Sequence, residues 1–284
     1  MIPVYTIEGA RGATGKTGAQ KRVKALSQEL SLPLASEIRD SAGVLCVSRD
    51  RLSVVLKDAS GEESKLQVDW SRLDTASQAG GSLRQPLIRA VLGRKRPCSG
   101  TVVLDCTAGL GRDAWILAAL GCSVVAVERH PLIYALLRDS LARAGIYHPA
   151  ATRRMRLCHA EAREILTVLA VRNKGEAVGA PAGFLPAPDA VYLDPMFPGH
   201  EKRKTAEKKS MRLLRTLVGG LESDQSELLG LSLAAARSRV ILKRPEKAPV
   251  LLSGAVRPLH QIHGRGMRFD IYASAGGQDR SHAV

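Results

Sequence analysis

The segment Thr101-Val102-Val103-Leu104-Asp105-Cys106-Thr107-Ala108-Gly109-Leu110-Gly111-Arg112-Asp113 constrains the fold of this chain more than any other. Residues of strand character run into an acid, a Gly-x-Gly turn follows, and Ala114, Ile116, Leu117 and Leu120 then recur at helical spacing. Strand, glycine turn and helix in that order form the opening unit of an open α/β sheet, whose ligands bind beyond the carboxyl ends of the strands. Glycine lets a ligand come close to the backbone there. A second strand, Ser123–Val127, ends in Glu128, an acid placed to hold the two hydroxyls of a ribose.

The same alternation continues to the end of the chain and implies a mostly parallel sheet with right-handed crossovers. The pattern predicts strands at 101–105, 123–128, 154–158, 189–193 and 238–243. Helices are expected near 112–120, 131–144, 160–172, 203–217 and 225–236, and strands near 254–262 and 268–274 close the sheet as a hairpin-like pair. Upstream, residues 19–32 read as an amphipathic helix carrying Val23, Leu26, Leu30 and Leu32. Val44–Val47, Leu52–Leu56 and Lys65–Val68 alternate like short strands. Residues 1–79 therefore form a small α+β module, with 1–18 as a flexible arm, and residues 80–284 the main domain. Gly80-Gly81-Ser82 is the joint, and a helix over Leu83–Leu92 leads into the first main strand.

Two cofactor classes share this layout. A nicotinamide site asks for Gly-x-Gly-x-x-Gly, and the fingerprint tolerates the Ala114 found here, so glycine spacing does not decide. Asp105 decides: a carboxylate before the turn repels a pyrophosphate and attracts the cationic S-adenosylmethionine. At the fourth strand, Val191-Tyr192-Leu193-Asp194-Pro195-Met196-Phe197-Pro198 ends in an acid, two prolines and an aromatic ring. Proline holds the backbone open and removes N–H donors. Asp194 and the freed carbonyls, Pro195 among them, can then accept from a flat amine-bearing ring on which Phe197 stacks. Asp194, Pro195 and Phe197 are the candidate catalytic group.

Asp105–Asp113, Glu128-Arg129-His130-Pro131, Leu193–Pro198, Val240-Ile241-Leu242-Lys243-Arg244-Pro245 and Arg268-Phe269-Asp270-Ile271-Tyr272 occur in this order. The set resembles the bacterial small-subunit ribosomal RNA guanine-N2 methyltransferase family RsmJ, in blocks over roughly residues 25–275. The resemblance implies a Rossmann-like class I S-adenosylmethionine-dependent methyltransferase, with a mostly parallel seven-stranded sheet and an antiparallel last strand. It implies methyl transfer to the exocyclic N2 of a guanine in 16S ribosomal RNA of the small ribosomal subunit. Beside Asp105, Gly109, Gly111 and Asp194, it implies cofactor contacts from Arg112, Asp113, Glu128 and Arg129, and adenine-side contacts at Glu161 and Ala162. Related sequences carry small hydroxyl residues at these last two positions. An acid such as Glu161 can accept from the adenine amino group instead.

A formal net charge of +15 favours a polyanionic partner through phosphate neutralisation and counterion release. The densest basic run, Lys202, Arg203, Lys204, Lys208, Lys209, Arg212 and Arg215, follows Pro198 closely. On a helix, Lys204, Lys208, Arg212 and Arg215 share one face and suit RNA phosphates beside the reaction centre. Arg153, Arg154 and Arg156 form a weaker basic group. Aromatics at 4% are too few for a platform stacking several bases, so recognition rests on charge, shape and one captured base. Cys46, Cys98, Cys106, Cys122 and Cys158 contain no Cys-x-x-Cys pair, which fits a reducing cytoplasm and argues against a zinc site; no metal is expected. No apolar run reaches the length of a membrane span, and the amino terminus lacks a signal-peptide pattern. The sequence fixes no oligomeric state.

Three other readings stand beside this one. Ala10-Arg11-Gly12-Ala13-Thr14-Gly15-Lys16-Thr17 approaches a phosphate-loop pattern, with Ala where the first Gly belongs and no downstream partner acid. A methyltransferase acting on another nucleic-acid or protein amine would keep the same cofactor half. A non-catalytic RNA-binding module would explain the charge but leaves acids at three strand ends unexplained.

Overall fold

The computed structural model describes residues 5–9, 16–34, 43–48, 50–57, 63–70, 73, 85–93, 97–175, 186–195 and 225–274. The front module holds β1 (Tyr5–Gly9), α1 (Lys16–Leu30), β2 (Gly43–Val47), β3 (Leu52–Lys57) and β4 (Glu63–Leu66). Its strands form a sheet in the order β1-β2-β3-β4, parallel between β1 and β2 and antiparallel elsewhere. Residues 5–9, read above as part of a flexible arm, thus add a strand. The loop of the phosphate-loop-like stretch, 10–15, lies outside the described residues.

The main domain begins with α2 (Pro86–Leu92), followed by β5 (Val102–Asp105), α3 (Arg112–Ala119), β6 (Ser123–Glu128) and α4 (Pro131–Tyr147). It continues through α5 (Pro149–Arg154), β7 (Met155–His159), α6 (Ala162–Asn173), β8 (Ala190–Leu193) and α7 (Gln225–Ala235). Three strands finish it: β9 (Arg239–Pro245), β10 (His260–His263) and β11 (Met267–Ala273). The sheet has seven strands in the order β10-β11-β9-β8-β5-β6-β7. Its five inner-domain strands run parallel, and β11 returns antiparallel to β9 and β10. The central strands are continuous apolar runs because helices cover both faces. Pro86, Pro131 and Pro149 each open a helix, where the missing N–H costs nothing.

Strand alternation sorts the core into two faces. Val103, Val124, Ala126, Tyr192 and Ile241 pack with α3, α4 and the front module. Leu104, Val125, Val191, Leu193, Val240 and Leu242 pack on Leu166 and Leu169 of α6 and Leu228, Leu229 and Leu233 of α7. The first cluster runs without a break from Leu26 and Leu45 through Trp70 to Trp115 and Leu136, so both modules share one core.

Polar contacts fix the modules together. The buried Asp139 carboxylate of α4 accepts from Arg22 of α1 at 2.9 Å, from Arg143 at 3.0 Å and from the backbone N–H of Leu52 at 3.1 Å. Arg143 also donates to the Val68 carbonyl and pairs with Asp69, and Arg138 pairs with Glu29.

The departures from the sequence reading are local. The last front strand is β4 at 63–66 rather than 65–68, because Val68 and Trp70 leave the ladder to pack on the main domain. β10 begins at His260, not near 254, because Ser253 and Val256 bridge across a tight turn with Gly254 at φ +58°. The apolar spacing does not predict the six-residue α5. The joint at 80–82 and the helix at 203–217 lie outside the described residues.

Candidate active site

Four strand ends meet at the carboxyl edge of the sheet. Asp105 closes β5 and is almost wholly buried; its Oδ1 accepts the Thr107 backbone N–H at 3.0 Å. Burial pushes its carboxyl up to about 8, with that hydrogen bond pulling the other way. The chain then turns through Gly109 and Gly111, at φ +52° and +70°. A Cβ on Gly111 would stand 2.5 Å from the Trp70 ring and 2.8 Å from Leu137, so only glycine fits. The Trp70 indole N–H donates to the Leu110 carbonyl at 3.1 Å, and its ring stacks on Trp115 at 5.1 Å. An indole from the front module therefore supports the turn from beneath.

One flank of the turn belongs to β6 and β7. Glu128 is buried, and its two oxygens accept backbone N–H groups from Gly109 at 3.0 Å and His130 at 2.8 Å. Burial raises its pKa against those two hydrogen bonds. Arg129 reaches Glu161 at 3.6 Å across the ends of β6 and β7, and Ala162 opens α6. His159 stacks on Tyr134 with ring centroids 4.8 Å apart, and its Nε2 meets the Arg129 carbonyl at 3.1 Å.

The other flank is a charged network. The Lys243 ammonium donates to Asp194 Oδ2 at 2.7 Å and to Asp113 Oδ2 at 2.9 Å. The Tyr192 hydroxyl donates to the same Asp113 oxygen at 2.5 Å. The Asp194 backbone N–H donates to Thr107 Oγ1 at 2.6 Å, which ties β8 to the glycine turn. Burial raises the Asp194 pKa and Lys243 opposes the rise, with Asp113 adding to it. Burial pulls the Lys243 ammonium down, but Asp194 and Asp113 together hold it above its ordinary value.

The structure thus brings together Asp105, Gly109, Gly111, Asp113, Glu128, Arg129, Glu161, Ala162, Asp194 and Pro195 along one sheet edge. Arg112 opens α3 with its side chain exposed. Phe197 and the basic run Lys202, Arg203, Lys204, Lys208 and Arg212 lie outside the described residues. Arg153 and Arg154 close α5 just before β7, at the opposite rim of the sheet from the turn. The sequence pattern alone does not point to Lys243, Tyr192 and Trp70 as site residues. Strand parity could have found the first two: Tyr192 and Asp194, like Ile241 and Lys243, point to one face of neighbouring strands.

S-adenosylmethionine fits these residues. Two carboxylates, Asp113 and Asp194, pair with the Lys243 ammonium, and the Asp105 carboxyl lies close enough to feel all three, an acid excess that suits a sulfonium and an ammonium group. Each Glu128 oxygen takes one backbone N–H and keeps a lone pair for a ribose hydroxyl. Among the described residues, no group of three or more His, Cys, Asp or Glu side chains could hold a metal ion. No described helix is long and apolar enough to cross a membrane.

This fold and its strand-end acids define a class I S-adenosylmethionine-dependent methyltransferase, and the SAM-dependent methyltransferase family model matches residues 26–274. Two relatives carry the name ribosomal RNA small subunit methyltransferase J. The one from Thioalkalivibrio sulfidiphilus is 44% identical over 264 residues, covering 90% of this chain and 94% of its own length. The one from Cellvibrio japonicus is 38% identical over 261 residues, covering 87% and 91%. The chain belongs to this methyltransferase J family. The crystal structure of a SAM-dependent methyltransferase from Neisseria gonorrhoeae is 29% identical, superposes with a TM-score of 0.66, and covers 98% of this chain and 100% of its own.

Proposed function

We propose that this protein transfers the methyl group of S-adenosylmethionine to the exocyclic N2 of a guanine in 16S ribosomal RNA, acting on the small ribosomal subunit in the cytoplasm. The observation that carries the chemistry is the Asp194 carboxylate at the end of β8, tied to the glycine turn through Thr107 and still about one-third exposed. The names of its relatives supply the RNA substrate, and the net charge of +15 suits it.

S-adenosylmethionine supplies an electrophilic methyl group on a positively charged sulfur. Asp105, Gly109, Gly111, Arg112 and Asp113 shape its methionine side, Glu128 and Arg129 its ribose, and Glu161 and Ala162 its adenine. The guanine amine is a poor nucleophile because its lone pair is delocalised into the ring. Asp194 and the Pro195 carbonyl accept from its N–H groups and turn the lone pair toward the methyl carbon. As the N–C bond forms and the C–S bond breaks with its electron pair going to sulfur, positive charge grows on N2. The Asp194 carboxylate stabilises that charge, and the surplus proton leaves to water. Phe197 stacks on the base, which is unpaired or flipped to reach the site. Lys202, Arg203, Lys204, Lys208 and Arg212 hold RNA phosphates nearby.

The test is transfer of labelled methyl to small-subunit ribosomal RNA and to intact subunits lacking the modification, with DNA and bulk protein as competing acceptors. Label in a guanine N2 supports the proposal. Label in DNA or protein, with RNA unlabelled, overturns the substrate assignment.

A further inference from the structure

We propose that Lys243 is a positioning residue for methyl transfer, holding the Asp194 carboxylate as an oriented anion that receives the base amine. The inference rests on the role assigned to Asp194 above. Lys243 lies at the mouth of the site, four residues into β9, on a strand that is otherwise apolar up to that point from Val240. Its reach selects two carboxylates from two different elements, Asp194 after β8 and Asp113 on α3.

The geometry is directional. Tyr192 and Lys243 converge on one oxygen of Asp113, so that side chain is fixed from two sides and serves as the seat of the ammonium. The seated ammonium then takes Oδ2 of Asp194. Thr107 fixes the Asp194 backbone at the same time. With the backbone and one oxygen anchored, the carboxylate plane is set. Oδ1 has no partner among the described residues and is the oxygen left for the amine.

The ammonium also decides the charge of Asp194. The groups facing this carboxylate among the described residues are Lys243 from β9, Asp113 from α3, Asp105 from β5 and the Tyr192 hydroxyl from β8. Burial and the acids favour the neutral form; Lys243 alone of these supplies positive charge. Without it Asp194 protonates at a higher pH. A neutral carboxyl is a weaker acceptor and gives the forming ammonium-like nitrogen no opposite charge.

Wild-type enzyme, Lys243→Met and Lys243→Arg are compared in three measurements. The first is the pH profile of kcat on small-subunit ribosomal RNA. The second is S-adenosylmethionine affinity by calorimetry, and the third is the titration of the Asp194 carboxyl by 13C NMR, assigned by its loss in Asp194→Asn. In Lys243→Met the acid limb of kcat and the Asp194 titration both move up, by about one pH unit or more, and kcat at neutral pH falls about 10- to 100-fold. Lys243→Arg restores most of the rate and the wild-type limb. A Lys243→Met enzyme with unchanged rate, or with a loss uniform across pH and an unmoved Asp194 titration, overturns the inference. The NMR arm needs no acceptor, so a wild-type enzyme that leaves RNA unlabelled fails the substrate assignment while the effect of Lys243 on Asp194 is still read.

Discussion

Two groups of acid, one where the front module meets the main domain and one at the carboxyl edge of the sheet, are treated differently. Where the front module packs on the main domain, the single Asp139 carboxylate is surrounded by two guanidinium groups and a backbone N–H. At the sheet edge, Asp113 and Asp194 share the Lys243 ammonium, with the Asp105 carboxyl beside them. A structural acid is saturated by the protein's own donors, because an unpaired buried charge costs stability. Among the described residues the strand-end acids are left short of positive charge, which suits the cationic cofactor and the amine of the proposed function.

Removing a member of each group separates the two roles. The largest effect is expected for Asp194→Ala: kcat falls about 10²- to 10³-fold, a larger loss than the weakening of S-adenosylmethionine binding that follows from removing one of the acids near the cofactor. Labelled transfer and calorimetry on the same sample check it, and an unimpaired rate would remove Asp194 from the mechanism. Asp139→Ala is expected to do the reverse. Arg22, Arg143 and the Leu52 N–H lose their acceptor, at a cost of about 1–3 kcal/mol. Denaturant melts should show this while turnover per folded molecule stays that of the wild type.

Asp105 sharpens the contrast through pH. Burial pushes its carboxyl up to about 8 in the free protein. A bound cation favours the ionised form, so binding releases a proton and affinity rises as pH is raised toward 8. Below that range the neutral acid attracts the cofactor less. Calorimetry in buffers of different ionisation enthalpy measures the released proton, and Asp105→Asn should remove that contribution. The smallest effect is expected for Trp70→Phe, which keeps a ring under the turn and loses the hydrogen bond to Leu110. A loss of about 0.5–1.5 kcal/mol should appear in stability and as a raised KM for S-adenosylmethionine, with kcat retained.

The main domain was legible because its signals are local. Apolar runs ended in acids, apolar residues recurred at helical spacing, and β6 matched its expected span of 123–128. The acids at 105, 128 and 194 could be assigned to strand ends for the same reason. Lys243 was harder to read because its role depends on Asp113, 130 residues away along the chain. Trp70 carried no periodic signal at all: it follows β4 in a segment without regular structure and acts through the Leu110 carbonyl. The missed boundary at β10 has the same origin, since the Ser253–Val256 turn is set by pairing across the chain rather than by composition.

The fit between Gly111 and Trp70 also bears on how such a chain can be cut or recombined. The front module looks like a detachable cassette in the sequence, yet its indole fills the space that Gly111 leaves empty. A fragment beginning after residue 79 would carry a hole beneath its own cofactor turn. A chimera with a foreign front piece would need a ring of matching size at the same spot. The two pieces therefore have to be inherited together, as a lock and its key are.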